Sequence, residues 1–159
     1  MRRFIIVILC ALLAAGGVYW LHRPTHHATV NARLYETDMV AGLVRRLLTK
    51  LEPPLPSVCF LAFGDGTTPP GPRFIARFAG CNPPVRSCGS ASMPPINQFF
   101  DTRTGRAGLV IHIVRFKEIK PDTFEVQVSF SNLPPGHDQF IYHVTELSGD
   151  WVIMSCTAA

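Results

Sequence analysis

The stretch LVIHIVRFKEIKPDTFEVQVSFS, residues 109–131, decides the fold that this sequence predicts. Between positions 124 and 130, apolar residues at the even positions alternate with polar residues at the odd positions. Because successive side chains of a strand point to opposite faces, this alternation predicts a strand with one buried face. The apolar run at 109–119 is predicted to be a second long strand, and Lys120, Pro121 and Asp122 form the turn between them.

The same pattern continues toward the C-terminus. Residues 139–147 and 151–156 each have the composition of a strand, and the Ser-Gly-Asp sequence at 148–150 predicts a hairpin turn between them. Successive strands joined by short connections predict an antiparallel meander. Upstream, residues 57–63 form a short, continuously apolar run, which predicts a buried strand.

Helical spacing replaces this pattern between Asn31 and Glu52. Apolar residues recur there at steps of three and four, which predicts an amphipathic helix of about twenty residues with Asn31 as its N-cap and the proline pair at 53–54 after its end. A second, shorter helix is predicted at 72–79. We therefore expect a single α+β domain over residues 31–157, in which the long N-terminal helix covers one face of a curved antiparallel meander.

The N-terminus has the pattern of an export signal. Arg2 and Arg3 precede an uncharged, mainly apolar stretch at residues 4–21. Tyr19 and Trp20 favour a membrane anchor, and the small residues at 14–16 favour cleavage by a signal peptidase. Residues 1–23 are therefore predicted to be a signal peptide or a signal anchor, followed by a linker at 24–30. The chain is expected at the periplasmic side of the inner membrane if anchored, or free in the periplasm or secreted if cleaved.

The charge distribution argues against nucleic-acid binding. The formal net charge is +4, but three of the 15 basic residues, Arg2, Arg3 and Arg23, belong to the N-terminal segment. The remaining 12 basic residues face 11 acidic ones, a net charge of +1. A protein that neutralises phosphates needs a basic face, so the sequence predicts no nucleic-acid partner.

Four cysteines follow the leader, namely Cys59, Cys81, Cys88 and Cys156. An even number of cysteines in an exported domain predicts disulfides, and four cysteines allow three pairings. The preferred pairing is Cys59 with Cys88, which leaves the other two to pair or stay free. Four buried thiols that act as small apolar side chains are the alternative.

Two histidines, His112 and His143, lie within predicted strands in apolar company. They could converge on a pocket, to which Tyr142 and Trp151 are the further candidates. Two histidines without a carboxylate or a third ligand make a poor metal site, so neither a metal nor a cofactor is predicted. No residue is assigned a catalytic role, because no recognisable nucleophile or acid/base motif is present.

The closing segment, from Tyr142 to Ile153, resembles the terminal hairpin of the NTF2-like (cystatin-like) superfamily, in which a Gly-x-Trp turn begins the last strand. The order of predicted helices and strands over residues 31–157 is also similar to that superfamily. The resemblance implies a curved sheet that wraps helices into a cone. It implies no activity, because this fold carries enzymes, binders and scaffolds alike.

Two functions follow from the sequence. The first is a non-enzymatic, membrane-tethered binding or interaction module outside the cytoplasm, whose ligand is a protein or a small molecule. The alternative is a small exported enzyme with an acid/base site in the sheet concavity. In both cases the predicted membrane contact is made through residues 4–21.

Overall fold

The computed structural model of the chain describes residues 31–53, 55–64, 68–92, 99–131 and 137–159. The predicted signal or anchor segment and the linker lie outside these ranges. Within them, no helix is long and apolar enough to cross a membrane. The helices and strands are, in chain order, a 3-10 turn at Ala32–Leu34, α1 at Asp38–Thr49, β1 at Cys59–Phe63, α2 at Pro72–Ala76, β2 at Val85–Ser87, a 3-10 turn at Cys88–Ser90, β3 at Ala91–Ser92, β4 at Phe100–Asp101, β5 at Leu109–Lys120, β6 at Thr123–Ser131, β7 at His137–Leu147 and β8 at Asp150–Ala158.

Six of the strands form one mixed sheet in the order β2-β1-β5-β6-β7-β8. Strands β5, β6, β7 and β8 pair antiparallel with one another in chain order, as the short connections in the last third of the sequence predict. Strand β1, however, pairs parallel with both β2 and β5. Strands β3 and β4 form a separate antiparallel pair.

The predicted fold class is therefore wrong. The described residues are mostly β, with nearly half of them in strands, and the main sheet is mixed rather than an antiparallel meander. Only two short α-helices are present within the described ranges, and neither is the predicted long N-terminal helix. The α+β cone implied by the resemblance to the NTF2-like superfamily does not describe this arrangement.

The long helix is interrupted because the residues before Asp38 make other contacts. The Thr37 side chain accepts a hydrogen bond from the Val40 backbone N–H at 3.2 Å and so caps α1 six residues after the predicted N-cap at Asn31. Tyr35 stacks on Phe63 of β1, with ring centroids 5.2 Å apart, and its hydroxyl donates to a backbone carbonyl of β5 at 3.1 Å. Because of these tertiary contacts, the residues before Asp38 do not join the helix that the apolar spacing predicts.

The parallel position of β1 follows from its composition. All five of its residues are buried, so both faces of this strand are covered, as is typical of a strand in the interior of a parallel sheet. Cys59 and Leu61 belong to the main core, which α1 and α2 also line. Phe60 and Ala62 point to the other face, where they form a smaller apolar cluster with Val58 and Val110. The sheet therefore has a helix side and an opposite side.

The hairpin between β7 and β8 confirms the turn predicted at 148–150. Ser148 and Gly149 both have positive φ angles, 55° and 87°, which is the conformation of a type I′ turn in a two-residue hairpin. This turn fixes the register of β8 on β7, and the register shifts once, near His143 and Val144. It also sets where Trp151 meets the helix side of the sheet.

Candidate functional site

One open cleft lies where α1 meets the turn between β7 and β8. Its volume is about 530 Å³, and we call it the helix–hairpin cleft. One wall is the exposed face of α1, since most other residues of that helix are buried in the core. The opposite wall is the β7–β8 turn, and Arg77, just after α2, closes one side. The lining residues are Asp38, Gly42, Arg45, Arg46, Thr49, Arg77, Glu146, Gly149, Asp150 and Trp151.

Close packing between Gly42 and Trp151 forms the base of this cleft. A Cβ atom placed on Gly42 would lie 2.7 Å from Trp151 Cβ and 3.0 Å from Trp151 Cδ1, so only glycine lets the helix approach the strand this closely. Trp151 is half-buried, and its ring also makes an edge contact with Phe124 of β6, with centroids 5.8 Å apart. The position of α1 over the start of β8 is thus fixed by one glycine and one indole.

The charges of the cleft are divided between its walls. Arg45 donates a hydrogen bond to the Arg77 carbonyl at 2.8 Å, and Arg77 forms an ion pair with Asp38. Arg46 has no ion-pair partner among the described residues, and Glu146 and Asp150 stand exposed on the turn without one. Exposed ion pairs contribute at most about 1 kcal/mol each to stability. These charged side chains therefore line the cleft but add little to the stability of the fold.

Among the described residues no strand pairs with the outer edge of β8, which begins beside this cleft. This strand is outermost in the main sheet, and residues 151–159 include no Lys, Arg, Asp or Glu. Met154 is 61% exposed, and Cys156 is exposed as well. Charged residues and prolines are the usual protection of an edge strand, and this stretch has neither.

The other edge of the sheet is protected. Strand β2 has only three residues, it follows two prolines, and a 3-10 turn ends it at once. Arg86 of β2 forms an ion pair with the buried Asp101 at 2.8 Å. Hydrogen bonds from Thr104 and from the Arg103 backbone N–H, together with the charges of Arg86 and Arg103, hold the pKa of Asp101 below its ordinary value despite its burial. The two edges therefore differ sharply in their readiness to pair.

The four predicted pocket residues do not come together. His112 pairs with Ser129 and His143 with Glu125, so the two histidines lie four register positions apart on either side of β6. That separation is roughly 13 Å along the strands. Both point to the side opposite α1, since their neighbours Ile111, Ile113 and Val144 lie in the main core.

Tyr142 and Trp151 lie on the helix side instead. Tyr142 is buried, and burial and then the hydrogen bond with the Cys156 thiol raise the pKa of its hydroxyl above the ordinary value. His143 Nε2 lies 3.8 Å from Glu125 Oε2 on the polar face of the sheet. Of the four candidates, Trp151 alone lines the helix–hairpin cleft. Within the described ranges no three His, Cys, Asp or Glu residues are grouped so that they could hold a metal ion.

The cysteines of the described residues, Cys59, Cys81, Cys88 and Cys156, are free thiols in this structure. Cys59 packs in the main core, where burial raises its pKa to about 12, whereas Cys88 packs against the smaller cluster on the other side of the sheet. Burial also raises the pKa of Cys88. Because Cys59 and Cys88 occupy opposite sides of the sheet, a bridge between them requires a rearrangement of β2. Disulfide formation between these cysteines, like export of the chain, stays a prediction.

Sequence reasoning missed Arg46, Arg77 and Asp150 as lining residues. The signal for Arg46 was present, because positions 38, 42, 45, 46 and 49 follow helical periodicity on the polar face of α1. Nothing in the sequence places Arg77 or Asp150 beside that face, since their approach depends on the sheet order.

No protein-family model, no curated protein and no solved structure matches this chain. The NTF2-like resemblance thus has no support from these comparisons, and the fold is described from the structure alone.

Proposed function

We propose that this chain is a non-enzymatic, membrane-tethered interaction module outside the cytoplasm, and that it binds a protein partner along the β8 edge. The observation that carries the proposal is the contrast between the sheet edges. Strand β2 is short and capped, whereas β8 offers nine residues, of which all but Asp150 are uncharged. An unprotected edge of this kind takes up an additional strand through backbone hydrogen bonds.

The outward amides of β8 support this role. The Ala159 N–H donates to the Gln139 carbonyl at 2.9 Å, so it points toward β7. Because N–H groups alternate in direction along a strand, those of Cys156 and Ala158 point away from the sheet. Both residues are exposed. Strand addition would satisfy these groups, and the charged walls of the neighbouring cleft would contact the flanking part of the partner.

The tether follows from the N-terminal sequence alone. Arg2 and Arg3 before the apolar residues 4–21 favour export with the domain outside the cytoplasm, and the domain is tethered where this segment is retained as an anchor. For the alternative function, an exported enzyme with an acid/base site, His112 and His143 are the candidate residues. Their separation across β6 gives no support to a site that contains both of them.

Thiol labelling tests the proposal. Cys156 is exposed on the edge, so a maleimide should modify it rapidly in dilute purified protein after brief reduction. In cells that produce the full chain, we expect the bound partner to slow this labelling strongly. The matched control is Thr104→Cys with Cys156→Ser, which places an exposed thiol in the loop between β4 and β5, away from the edge. Equal labelling of Cys156 in cells and in dilute protein, relative to this control, would refute the proposal.

A further inference from the structure

We propose that the partner at the β8 edge is a second copy of this chain, paired antiparallel with β8 about a two-fold axis close to Cys156. This inference rests on the function proposed above, since it names the partner of the same edge. It is carried by the self-complementary chemistry of β8. An antiparallel pair related by a two-fold axis brings each residue opposite its own sequence, so the composition of one strand determines every contact.

The lack of charge is the first requirement for such a pair. Like charges directly opposite each other destabilise a strand pair, and residues 151–159 carry none. The chain has 26 charged side chains in 159 residues, yet this edge avoids them over nine consecutive positions. Self-pairing therefore meets no electrostatic obstacle along the strand.

The regular part of the edge sets the register. The register shift of β8 against β7 lies near Met154, so the residues from Ser155 to Ala158 form the undistorted run. The outward N–H groups of Cys156 and Ala158 lie in this run. A two-fold axis at Cys156 would place the two Cys156 Cα atoms about 5.5 Å apart, as a hydrogen-bonded pair.

The symmetry also keeps the faces of the two sheets matched. A two-fold axis perpendicular to the sheet leaves both helix sides on one side of the dimer. Cys156 then lies opposite Cys156 of the other copy, and Ala158 lies opposite its Met154. Both Cys156 and Ala158 are exposed and continue the helix side next to Tyr142 and Phe140. Ser155 and Thr157 meet each other on the opposite side, where their hydroxyls are well suited to a cross-strand pair.

The expected contact is small. A pair of short strand segments belongs to the class of weak interfaces, so we expect little dimer in dilute detergent solution. Attachment to one membrane would confine the copies and raise their effective concentration, as linking does for other weak contacts. The inference therefore predicts a dimer that depends on the tethered state.

Thiol crosslinking of the full chain in membranes tests the inference. The chain carries Cys10→Ser, which removes the leader thiol, and a short bismaleimide is added to membranes from cells that produce it. We expect a Cys156-dependent dimer, and at least about fivefold less dimer from the Thr104→Cys, Cys156→Ser control, since its thiol lies far from the axis.

Two edge variants and one matched control decide the cause of crosslinking. Met154→Lys adds an edge lysine, and Ala158→Pro removes an outward N–H without removing a bond to β7. We expect each to lower the Cys156 dimer about threefold or more. Leu34→Lys also introduces a lysine in place of an exposed apolar side chain, at a residue that is 62% exposed, against 61% for Met154, and that lies off the edge. It should leave the dimer unchanged.

Three outcomes overturn the inference. One is crosslinking at Cys156 no greater than that of the Thr104→Cys control. A second is a dimer that Met154→Lys and Ala158→Pro leave unchanged. The third is a Cys156 that is shielded in cells but forms no dimer, which would assign the edge to a different protein and leave the proposed function standing. A Cys156 that is neither shielded nor crosslinked would remove both.

Discussion

The contact between Gly42 and Trp151 gives the sharpest prediction on how α1 is held against β8. In the variant Gly42→Ala, the new methyl group would lie 2.7 Å from Trp151 Cβ, about 1 Å closer than a comfortable carbon contact. Trp151 Cβ is bound directly to the strand backbone, so a rotamer change cannot move it away. The helix or the strand must shift, and overpacking of this kind costs about 1–3 kcal/mol.

Helix propensity opposes this cost. Alanine is favoured over glycine within a helix by roughly 1 kcal/mol. The difference is about 0–2 kcal/mol. We expect Gly42→Ala to lower the free energy of unfolding by the upper half of this range, about 1–2 kcal/mol, because the overlap involves three Trp151 side-chain atoms and one of them is the immobile Cβ.

Urea unfolding followed by the fluorescence of Trp151 measures this change, in a chain that carries Trp20→Phe so that one tryptophan reports. Gly89→Ala is the matched control, since its new methyl group would meet no atom closer than 3.6 Å and its φ angle is not positive. A Gly42→Ala protein as stable as the parent, or more stable, would show that α1 does not pack on β8 as described.

Three further predictions concern the rest of the domain. Gly108→Ala should lower the free energy of unfolding by about 2–3 kcal/mol, more than Gly42→Ala, because the new methyl group would lie 2.7 Å from a side-chain atom and from the backbone carbonyl of Val58; chemical unfolding against the same Gly89→Ala control measures it, and an unchanged midpoint would contradict it. The pKa of Asp101 is lower in the folded protein than its ordinary value, so its carboxylate stabilises the fold fully above the ordinary pKa and loses this effect as the pH falls through the folded value. The free energy of unfolding should therefore decline below about pH 4. Thermal unfolding should show a shallower acid decline in Asp101→Asn than in the parent protein. Burial raises the pKa of Cys59, so its neutral thiol stabilises the fold below the ordinary pKa of 9.0, and this effect should fade as the pH rises toward about 12. Cys59→Ala should remove this contribution to the loss of stability at alkaline pH. An identical alkaline decline in the variant would contradict the raised pKa of Cys59.

The sequence predicts the C-terminal strands of this fold well, because each of them has one buried face. The alternation at 124–130 and the turn at 148–150 are local signals, and the corresponding strands β6, β7 and β8 lie close to the predicted bounds. Local signals do not determine sheet order. The apolar run at 57–63 predicts a strand, and its continuous burial is typical of a parallel position, but the interpretation as part of an antiparallel sheet overlooked that feature.

The long helix failed for a different reason. Apolar spacing from Leu34 to Leu51 is compatible with one helix, and only tertiary contacts break it. Tyr35 packs on Phe63 of β1, and Thr37 caps the shortened helix. The residues before Asp38 therefore lie outside the helix, and Tyr35 packs on the sheet. Helix propensity is a weak preference that such contacts readily override.

The candidate site was predicted only in part. Trp151 lines the helix–hairpin cleft, whereas His112 and His143 lie apart on the other side of the sheet. Whether two strand residues converge depends on register and on the number of strands between them, and neither follows from local alternation. The stripe of charged residues on α1 was visible in the sequence, but its meeting with the β7–β8 turn depends on the packing of Gly42 against Trp151.

The two edges of the sheet explain why function is assigned to the end of the chain. At β2, prolines, a short strand and the Arg86–Asp101 ion pair leave little backbone available for pairing. If the β8 edge had no binding role, it would be expected to carry similar protection, since an exposed edge strand promotes aggregation. At β8, residues 151–159 include no charged residue and no proline, and Met154 adds an exposed apolar side chain. If Met154→Lys changes neither the Cys156-dependent dimer nor the labelling of Cys156 in cells, the β8 edge has no binding role. The difference between the two edges would then need another cause.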